Sequence, residues 1–274
     1  ASVEVGVAPL CWSLAHLGPL ASTARDAAVL YRVLAGPDPE DPHTLHQPDP
    51  HLVGFGQSDL QGQRIGIYPD FFHHARPDVV ERGQSMIKHL ESAGAELVEI
   101  EIQDLDMIRL AHAVTITSEM VSSHQKNFGE HLKDYSLETQ LKFMLVSALG
   151  SADYATAQRV RASATRQFEA LFKEVDMIAP PATGTSAPAI PEHAVTTDES
   201  NLVLLDEIMR FCPLANLLGL PAISFPSGYT EDGLPTALQL IGRPWEEHRL
   251  LAAAHIGEAA VEKRKPEVHF SLLG

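Results

Sequence analysis

The apolar residues of this chain change their spacing several times, and alternating helical and strand patterns of this kind predict an α/β protein. The first helical pattern runs from Ser22 to Ala35, with apolar residues three and four positions apart. Ser22 or Thr23 is suited to cap its start, and Gly36 is suited to end it. We therefore expect an amphipathic helix near the beginning of the chain.

A long loop comes next, followed by two strand patterns with a helix between them. Residues Pro37–Gln57 contain many prolines, which cannot donate backbone hydrogen bonds to a sheet. The apolar runs Arg64–Tyr68 and Ala95–Ile102 flank a helical pattern at Asp78–Ala93. This order predicts a surface loop and then a β-α-β unit.

Long helical patterns fill the middle of the chain. They cover Asp104–Phe128, Leu137–Leu149 and Ala152–Lys173, and residues 104–174 form a predicted helical block. The apolar run Val175–Ala179 then predicts a strand. The middle of the chain is therefore expected to be helical, and the sheet is expected to resume after it.

The last third predicts a loop, a broken helix, a hairpin and a final helix. Pro180–Pro191 is rich in proline and should be irregular. Leu202–Leu218 has a helical pattern that Pro213 should kink or split. Two strands are predicted at Ala222–Phe225 and Thr236–Ile241, joined by a Glu-Asp-Gly turn signal. The last helix is predicted at Glu246–Val261.

Composition narrows the class of function. The 274 residues carry 20 Lys plus Arg against 36 Asp plus Glu, and the formal charge of −16 would repel nucleic acid and anionic membrane surfaces. No apolar run is long enough to span a bilayer. Cys11 and Cys212 are too few for a disulfide framework, so we expect two thiols. We expect a cytoplasmic protein, with peripheral membrane association as the alternative.

A specific motif lies near the end of the chain. Residues 216–224 have the sequence NLLGLPAIS, Gly233–Pro235 follows, and residues 238–245 have the sequence LQLIGRPW. This order closely resembles the carboxy-terminal signature of the amidase signature family. Met209–Phe211, and Lys265-Pro266 followed by Phe270, resemble the plant-type fatty acid amide hydrolases within that family.

Two further stretches resemble the same family in the family's order. Residues 6–20, which end in SLAHLGPL, resemble the segment just after the family's nucleophile. Residues 176–184, DMIAPPATG, resemble its strand-to-loop segment, although Ala182 stands where a threonine is usual. The resemblance covers nearly the whole chain and is strongest at 6–42 and 175–245.

The resemblance implies a fold and a reaction. It implies a mixed β-sheet core flanked by helices on both faces, of which residues 1–274 supply the carboxy-terminal portion. It also implies hydrolysis of carboxylic amide C–N bonds, with fatty acyl amides as the narrower expectation. This chemistry needs no cofactor, and the resemblance leaves a homodimer open.

The catalytic residues that the resemblance implies are absent from this chain. The family uses a serine nucleophile, a second serine in a cis peptide and a lysine base, all upstream of what Ala1 matches. Gly150–Ala152 lacks the tandem Gly and Ser residues of that stretch, and the lysines fall on solvated helix faces or in the basic tail. Because a serine hydroxyl is a weak nucleophile without a base, we predict that the isolated chain is inactive.

Two interpretations stay open at this point. The chain starts at Ala1 without a methionine, and Ala1–Leu10 lacks the features of a signal peptide, which favours a portion of a longer amidase. The missing amino-terminal portion would then supply the triad, and a cut sheet should make the isolated portion aggregate. The alternative is a self-standing, noncatalytic amidase-like subunit that binds or assembles with a partner.

Five residues are candidates for substrate binding. Thr183, Gly184 and Ser186 lie on the proline-rich loop, and Arg210 and Asn216 lie just before and within the signature. Loops in such positions often border sites. Thr and Asn also brace turns, so for Thr183 and Asn216 a structural role is the alternative.

Other side chains are interpreted as structural. Five residues with helical spacing predict core packing rather than an acyl channel: Met107, Met120, Phe128, Phe143 and Met144. His43, His46 and His51 have irregular spacing, which favours a solvated loop over a metal site. Cys11 and Cys212 sit among apolar neighbours, which favours packing over nucleophilic chemistry.

Overall fold

The computed structural model describes residues 7–8, 10–125, 128–190, 192 and 201–264. The helices are α1 (Ala24–Leu34), α2 (Pro69–Phe72), α3 (Pro77–Ser92), α4 (Leu105–His124), α5 (Phe128–His131), α6 (Leu137–Val146), α7 (Ser151–Glu174), α8 (Leu202–Ile208), α9 (Cys212–Leu218) and α10 (Glu247–Glu258). The strands are β1 (Arg64–Ile67), β2 (Glu96–Glu99), β3 (Met177–Ile178), β4 (Ala222–Tyr229) and β5 (Pro235–Gly242). The motif residues Gly6, Lys265, Pro266 and Phe270 lie outside the described residues.

The strands form one mixed sheet in the order β2-β1-β3-β5-β4. Strands β2, β1 and β3 run parallel, while β5 is antiparallel to both β3 and β4. Helix α3 connects β1 to β2, so the predicted β-α-β unit is confirmed. The predicted hairpin is β4 and β5, and the mixed sheet with flanking helices is confirmed.

One layer of helices packs directly on the hairpin. Helices α3 and α10 both contact β4 and β5, and α1 packs against α10. The approach of α10 to β4 is close, because a Cβ on Gly257 would lie 2.3 Å from the Phe225 ring. The sheet contributes fully buried side chains to the core, including Ile65, Met177 and Leu238.

Helices α4 to α7 lie within the predicted block of residues 104–174. Helices α4 and α7 pack side by side, and α9 packs against both. The buried face of α4 carries apolar Ile108, Ala111 and Met120 at helical spacing, together with His112 and Glu119. Two ionisable side chains therefore lie on a face that otherwise packs apolar groups.

A buried carboxylate ties three strands together at one end of the sheet. Asp176 accepts hydrogen bonds from the Arg64 backbone amide over 2.9 Å and from Arg243 over 2.8 Å. Burial alone would raise the pKa of Asp176, but the hydrogen bonds and charges of Arg64 and Arg243 outweigh it and hold that pKa below its usual value. Asp176 thus stays ionised and links β3 to β1 and β5.

The helix predicted over Leu202–Leu218 is interrupted, as the prediction of a kink or split at Pro213 requires. It is split into α8 and α9 by Met209–Phe211. Pro213 lies in the first turn of α9, where a missing N–H breaks no helical hydrogen bond. The predicted helix Asp104–Phe128 also ends early, at His124.

The strand lengths also differ from the prediction. Strand β2 is shorter than Ala95–Ile102 because its partner β1 ends at Ile67, which pairs with Glu99. The chain then turns into α4 at Asp104, whose φ of 56° is left-handed. Strand β3 has two residues, since prolines follow it closely. Strand β4 is longer than predicted and contains Pro226, which an edge strand tolerates because no other described strand pairs with the outer side of β4.

Candidate functional site

The proline-rich loop after β3 and the hairpin enclose a groove of about 520 Å³. The loop follows β5, since the Ala182 amide donates to Ala237 O over 3.1 Å and the Gln239 amide donates to Pro180 O over 3.0 Å. The groove is lined by Thr183, Thr185, Ser186, Ala187, Pro188, Ile208, Ser224, Phe225, Pro226, Pro235, Thr236 and Ala237. Its wall therefore combines apolar side chains with several hydroxyl groups.

Thr183 and Ser186, two of the five candidate residues, line this groove together. The Thr183 hydroxyl donates to Thr185 O over 2.8 Å, which braces the loop and leaves the oxygen able to accept a hydrogen bond. Thr183 is thus both a brace, as the structural interpretation proposed, and part of the groove wall.

Gly184 anchors the same loop through its backbone. Its amide donates to Glu207 O over 3.0 Å, and its carbonyl accepts from the Arg76 amide over 2.8 Å. A Cβ at this position would lie 2.3 Å from Glu207 O. The loop can therefore approach the end of α8 this closely only with glycine.

Arg210 does not line the groove. Its guanidinium binds Asp206 over 3.3 Å, and Asp206 also binds Arg109 from α4 over 2.8 Å. Its Cβ lies 3.7 Å from where a Cβ on Gly184 would be, so the aliphatic part of Arg210 supports the loop from behind. The ion pair between Asp206 and Arg109 ties α8 to α4, and Arg210 adds a second positive charge beside Asp206.

Asn216 also lies away from the groove. Its Nδ2 donates to Leu14 O over 2.8 Å, and its Oδ1 is 2.8 Å from His112 Nε2. Because a carbonyl oxygen can only accept, Nδ2 must face Leu14 and His112 must donate through Nε2. Burial lowers the pKa of His112, an effect that the hydrogen bond to Asn216 only partly opposes, so the ring is neutral. Asn216 is therefore a half-buried brace in this structure.

A second polar cluster fixes the same early segment, and it was not predicted from the sequence. The Ser13 amide donates to the Glu119 carboxylate over 3.0 Å, and the Ser13 hydroxyl donates to it over 2.6 Å. Tyr154 OH donates to Glu119 over 2.9 Å, while Arg161 donates to Ser13 Oγ over 3.0 Å and to Ser13 O over 3.1 Å. Burial, with the Glu119 hydrogen bond, raises the pKa of Tyr154 to about 12, so the phenol remains a donor. The sequence does contain a signal for this cluster, because Glu119 falls on the apolar face of α4.

The lysines of the described part are not placed to act as a base. Lys88, Lys133, Lys173 and Lys263 are exposed, and Lys142 pairs with Glu138. A neutral lysine base needs burial or a neighbouring positive charge to lower its pKa. The prediction of solvated lysines is confirmed for the four exposed residues, whereas Lys142 is half-buried in its ion pair.

The methionine and phenylalanine set does not form one channel. Met120 and Phe143 are buried, as core packing predicts, whereas Met107 and Met144 are 45% and 56% exposed, so the core prediction is wrong for those two. Phe143 and Met144 border an apolar groove of about 570 Å³ between α4, α6 and α7. Met107 borders a different groove beside α7. The side chain of Phe128 lies outside the described part.

The remaining candidates for chemistry are structural in the described part of the chain. His51 stacks on His248 with ring centroids 4.2 Å apart, which fastens the long loop to α10. No three metal-ligating side chains among the described residues are grouped to hold an ion. Burial raises the pKa of Cys212, which disfavours the reactive thiolate. No described helix is long and apolar enough to cross a bilayer.

Comparison with known proteins places the chain in a family. Residues 3–251 match the family model named Amidase, and the chain belongs to the amidase signature family. A fatty acid amide hydrolase of Medicago truncatula is 37% identical over 272 residues, covering 94% of this chain and 44% of that protein. An amidase of Pseudomonas putida is 32% identical, covering 96% of this chain and 57% of that protein.

A solved structure shows the same fold. It is a glutamyl-tRNA(Gln) amidotransferase subunit from Thermotoga maritima, with a TM-score of 0.73 and 25% sequence identity, and the match covers 92% of this chain and 54% of that one. The chain thus spans about half the length of these relatives.

Proposed function

We propose that this chain is the carboxy-terminal part of an enzyme that hydrolyses the C–N bond of carboxylic amides. The observation that carries the proposal is that residues 3–251 match the amidase family, while the chain spans only 44% of its Medicago truncatula relative. The names of that relative and its plant counterparts favour fatty acyl amides as the substrate class.

The groove between the loop and the hairpin supplies part of the substrate pocket. The Thr183 oxygen accepts a hydrogen bond from the substrate amide, and the Ser186 hydroxyl makes a second polar contact there. Ile208 and Phe225 offer apolar contact beside these hydroxyls. Gly184 sets the position of the loop through its two backbone hydrogen bonds. Direct substrate contact stays a prediction for Arg210 and Asn216, whose described partners are protein groups.

The nucleophile and its base come from polypeptide that precedes Ala1. The described lysines are solvated or ion-paired, so none is prepared to take a proton from a serine. The isolated chain therefore has no amide hydrolase activity. In the complete protein, meaning this chain with the polypeptide before it, both halves of the site come together.

The test is an assay of the complete protein and of residues 1–274 alone. Release of ammonia is measured with acetamide and with primary amides of increasing acyl length. We expect turnover by the complete protein that improves with acyl length, and no turnover by the chain alone. If the complete protein cleaves no amide but binds a partner stably, the chain is instead a noncatalytic binding or assembly subunit.

A further inference from the structure

The segment around Ser13 is held more tightly than a surface turn requires. All three polar groups of Ser13, its N–H, Oγ and C=O, bond to Glu119 or Arg161. The next carbonyl, of Leu14, accepts from both Asn216 and His16 over 2.8 Å. Three helices, α4, α7 and α9, thus fix two consecutive residues.

The cost of this arrangement argues that the position of the segment matters. The Glu119 side chain is 1% exposed, and a buried carboxylate is costly unless it is fully hydrogen-bonded. Glu119 receives three hydrogen bonds, two of them from Ser13. An apolar residue on this face of α4 would pack against α7 without that cost, but it would leave the Ser13 amide without its described partner and the Ser13 hydroxyl without its acceptor.

We infer that Glu119 and Arg161 are positioning residues for catalysis, and that they act by fixing Ser13 and the backbone that leads back toward the nucleophile. The inference rests on the proposed function, in which the polypeptide before Ala1 carries the nucleophile. Glu119 fixes Ser13 from α4, and Arg161 fixes it from α7. Neither side chain touches the substrate.

The two residues act on different atoms of Ser13, and this makes the inference specific. Glu119 holds the amide and the hydroxyl, while Arg161 holds the hydroxyl and the carbonyl. Glu119→Gln retains the shape of the side chain but replaces one of its two acceptor oxygens with an NH2 donor. Ser13→Ala removes the shared hydroxyl and leaves the backbone contacts of Ser13 in place.

The experiment compares Glu119→Gln, Ser13→Ala and a matched control in the complete protein. The control is Asp176→Asn, which alters another buried, hydrogen-bonded carboxylate, 6% exposed, in the sheet. Circular dichroism fixes a temperature at which every variant is folded. At that temperature kcat and KM are measured separately, and hydrogen exchange of the Ser13 amide is followed.

We expect Glu119→Gln to lower kcat about tenfold or more with KM nearly unchanged, because a small displacement of reacting groups is costly. Its Ser13 amide should exchange faster, and Ser13→Ala should show a smaller fall in kcat. Asp176→Asn should lose thermal stability while keeping kcat within about twofold, as expected for a change remote from the reacting groups.

Two results would overturn the inference and are distinguishable. An active wild type whose Glu119→Gln and Asp176→Asn variants have similar kcat values would reduce Glu119 to a stability role while leaving the proposed function intact. A wild-type complete protein that cleaves no amide would remove the proposed function, and with it the positioning role.

Discussion

Leu14 and Asn216 are 202 residues apart in the chain and are joined by a 2.8 Å hydrogen bond from the Asn216 amide to the Leu14 carbonyl. The same Asn216 side chain accepts a hydrogen bond from His112. A residue of the family signature thereby holds an early segment to α4 and α9. At this position, the signature motif holds together segments that are distant in the chain.

Replacing Asn216 should destabilise the protein. Asn216→Ala leaves His112 Nε2 without its Asn216 partner and leaves Leu14 O with His16 alone. A buried unsatisfied group costs about 1–3 kcal/mol. We expect the urea midpoint of the complete protein to fall accordingly. Asn201→Ala, which removes only the exposed cap that accepts from Val203 N and Leu204 N, should cost about 1 kcal/mol. Equal losses for the two variants would contradict the bracing role.

His112 should make the protein less stable in mild acid. Burial lowers its pKa in the folded state from the ordinary 6.5, so below pH 6.5 the unfolded chain binds more protons than the folded one. The free energy of unfolding should fall as pH decreases through this range. His16 and His248, whose pKa values burial also lowers, act in the same direction.

The measurement is the urea unfolding of the complete protein at several pH values between 7.5 and 5, a range of about one to two units around the ordinary histidine pKa. His112→Gln should reduce the slope of stability against pH. Asn201→Ala, which removes an exposed helix cap and no titratable group, should leave the slope unchanged. A slope that does not change in His112→Gln would show that burial of this ring does not cause the loss of stability in acid.

Gly184 should be irreplaceable in the loop that borders the groove. A Cβ there would lie 2.3 Å from Glu207 O, so Gly184→Ala must push the loop away from α8. We expect a higher KM for the amide substrate and a lower melting temperature. Gly18→Ala is the control, because a Cβ at Gly18 meets nothing within 4 Å. If both alanine variants keep the wild-type KM, the loop does not shape the pocket.

The isolated chain should associate with itself through β4. Ser224 pairs with Gln239, whose amide faces Pro180, so the backbone amide of Ser224 points away from β5 along an edge where no described strand pairs. Open edges invite pairing with another chain. Large apolar side chains are also exposed in α1 and in the segment before it. Val33 in α1 is 76% exposed, and Leu20 before it is 96% exposed.

We expect residues 1–274 to elute as aggregates in size-exclusion chromatography. Ser224→Lys should raise the monomer fraction, because a charged edge residue disfavours strand pairing. Ser58→Lys, which adds the same charge to an exposed loop, should do so less. A monodisperse wild-type chain with a cooperative thermal transition would contradict this prediction and favour the self-standing subunit.

The sequence was informative where one local rule determines the structure. The Thr23 side chain caps α1 by accepting from the Asp26 amide over 3.0 Å, and this follows from residue type and position. The β-α-β unit and the hairpin follow from apolar spacing and turn signals. The split of Leu202–Leu218 was also expected from Pro213. The exact position of the break, which places Pro213 in the first turn of α9, depends on tertiary packing and could not be predicted from the sequence.

The site was less predictable because its contacts join distant residues. Thr183 and Ser186 were found from their loop, and both line the groove. Asn216 has partners 104 and 202 residues away, and no local pattern reveals them. Glu119 was missed for the same reason, although a carboxylate on the apolar face of a helix indicates that a buried partner exists.

The most direct measurement of the central claim is covalent labelling with a serine-reactive fluorophosphonate. The complete protein and residues 1–274 alone are treated with the probe, and the labelled peptides are mapped by mass spectrometry. The account predicts one labelled serine in the complete protein, located before Ala1, and no specific label on the isolated chain. Specific labelling of a serine within residues 1–274, accompanied by amide turnover, would contradict it.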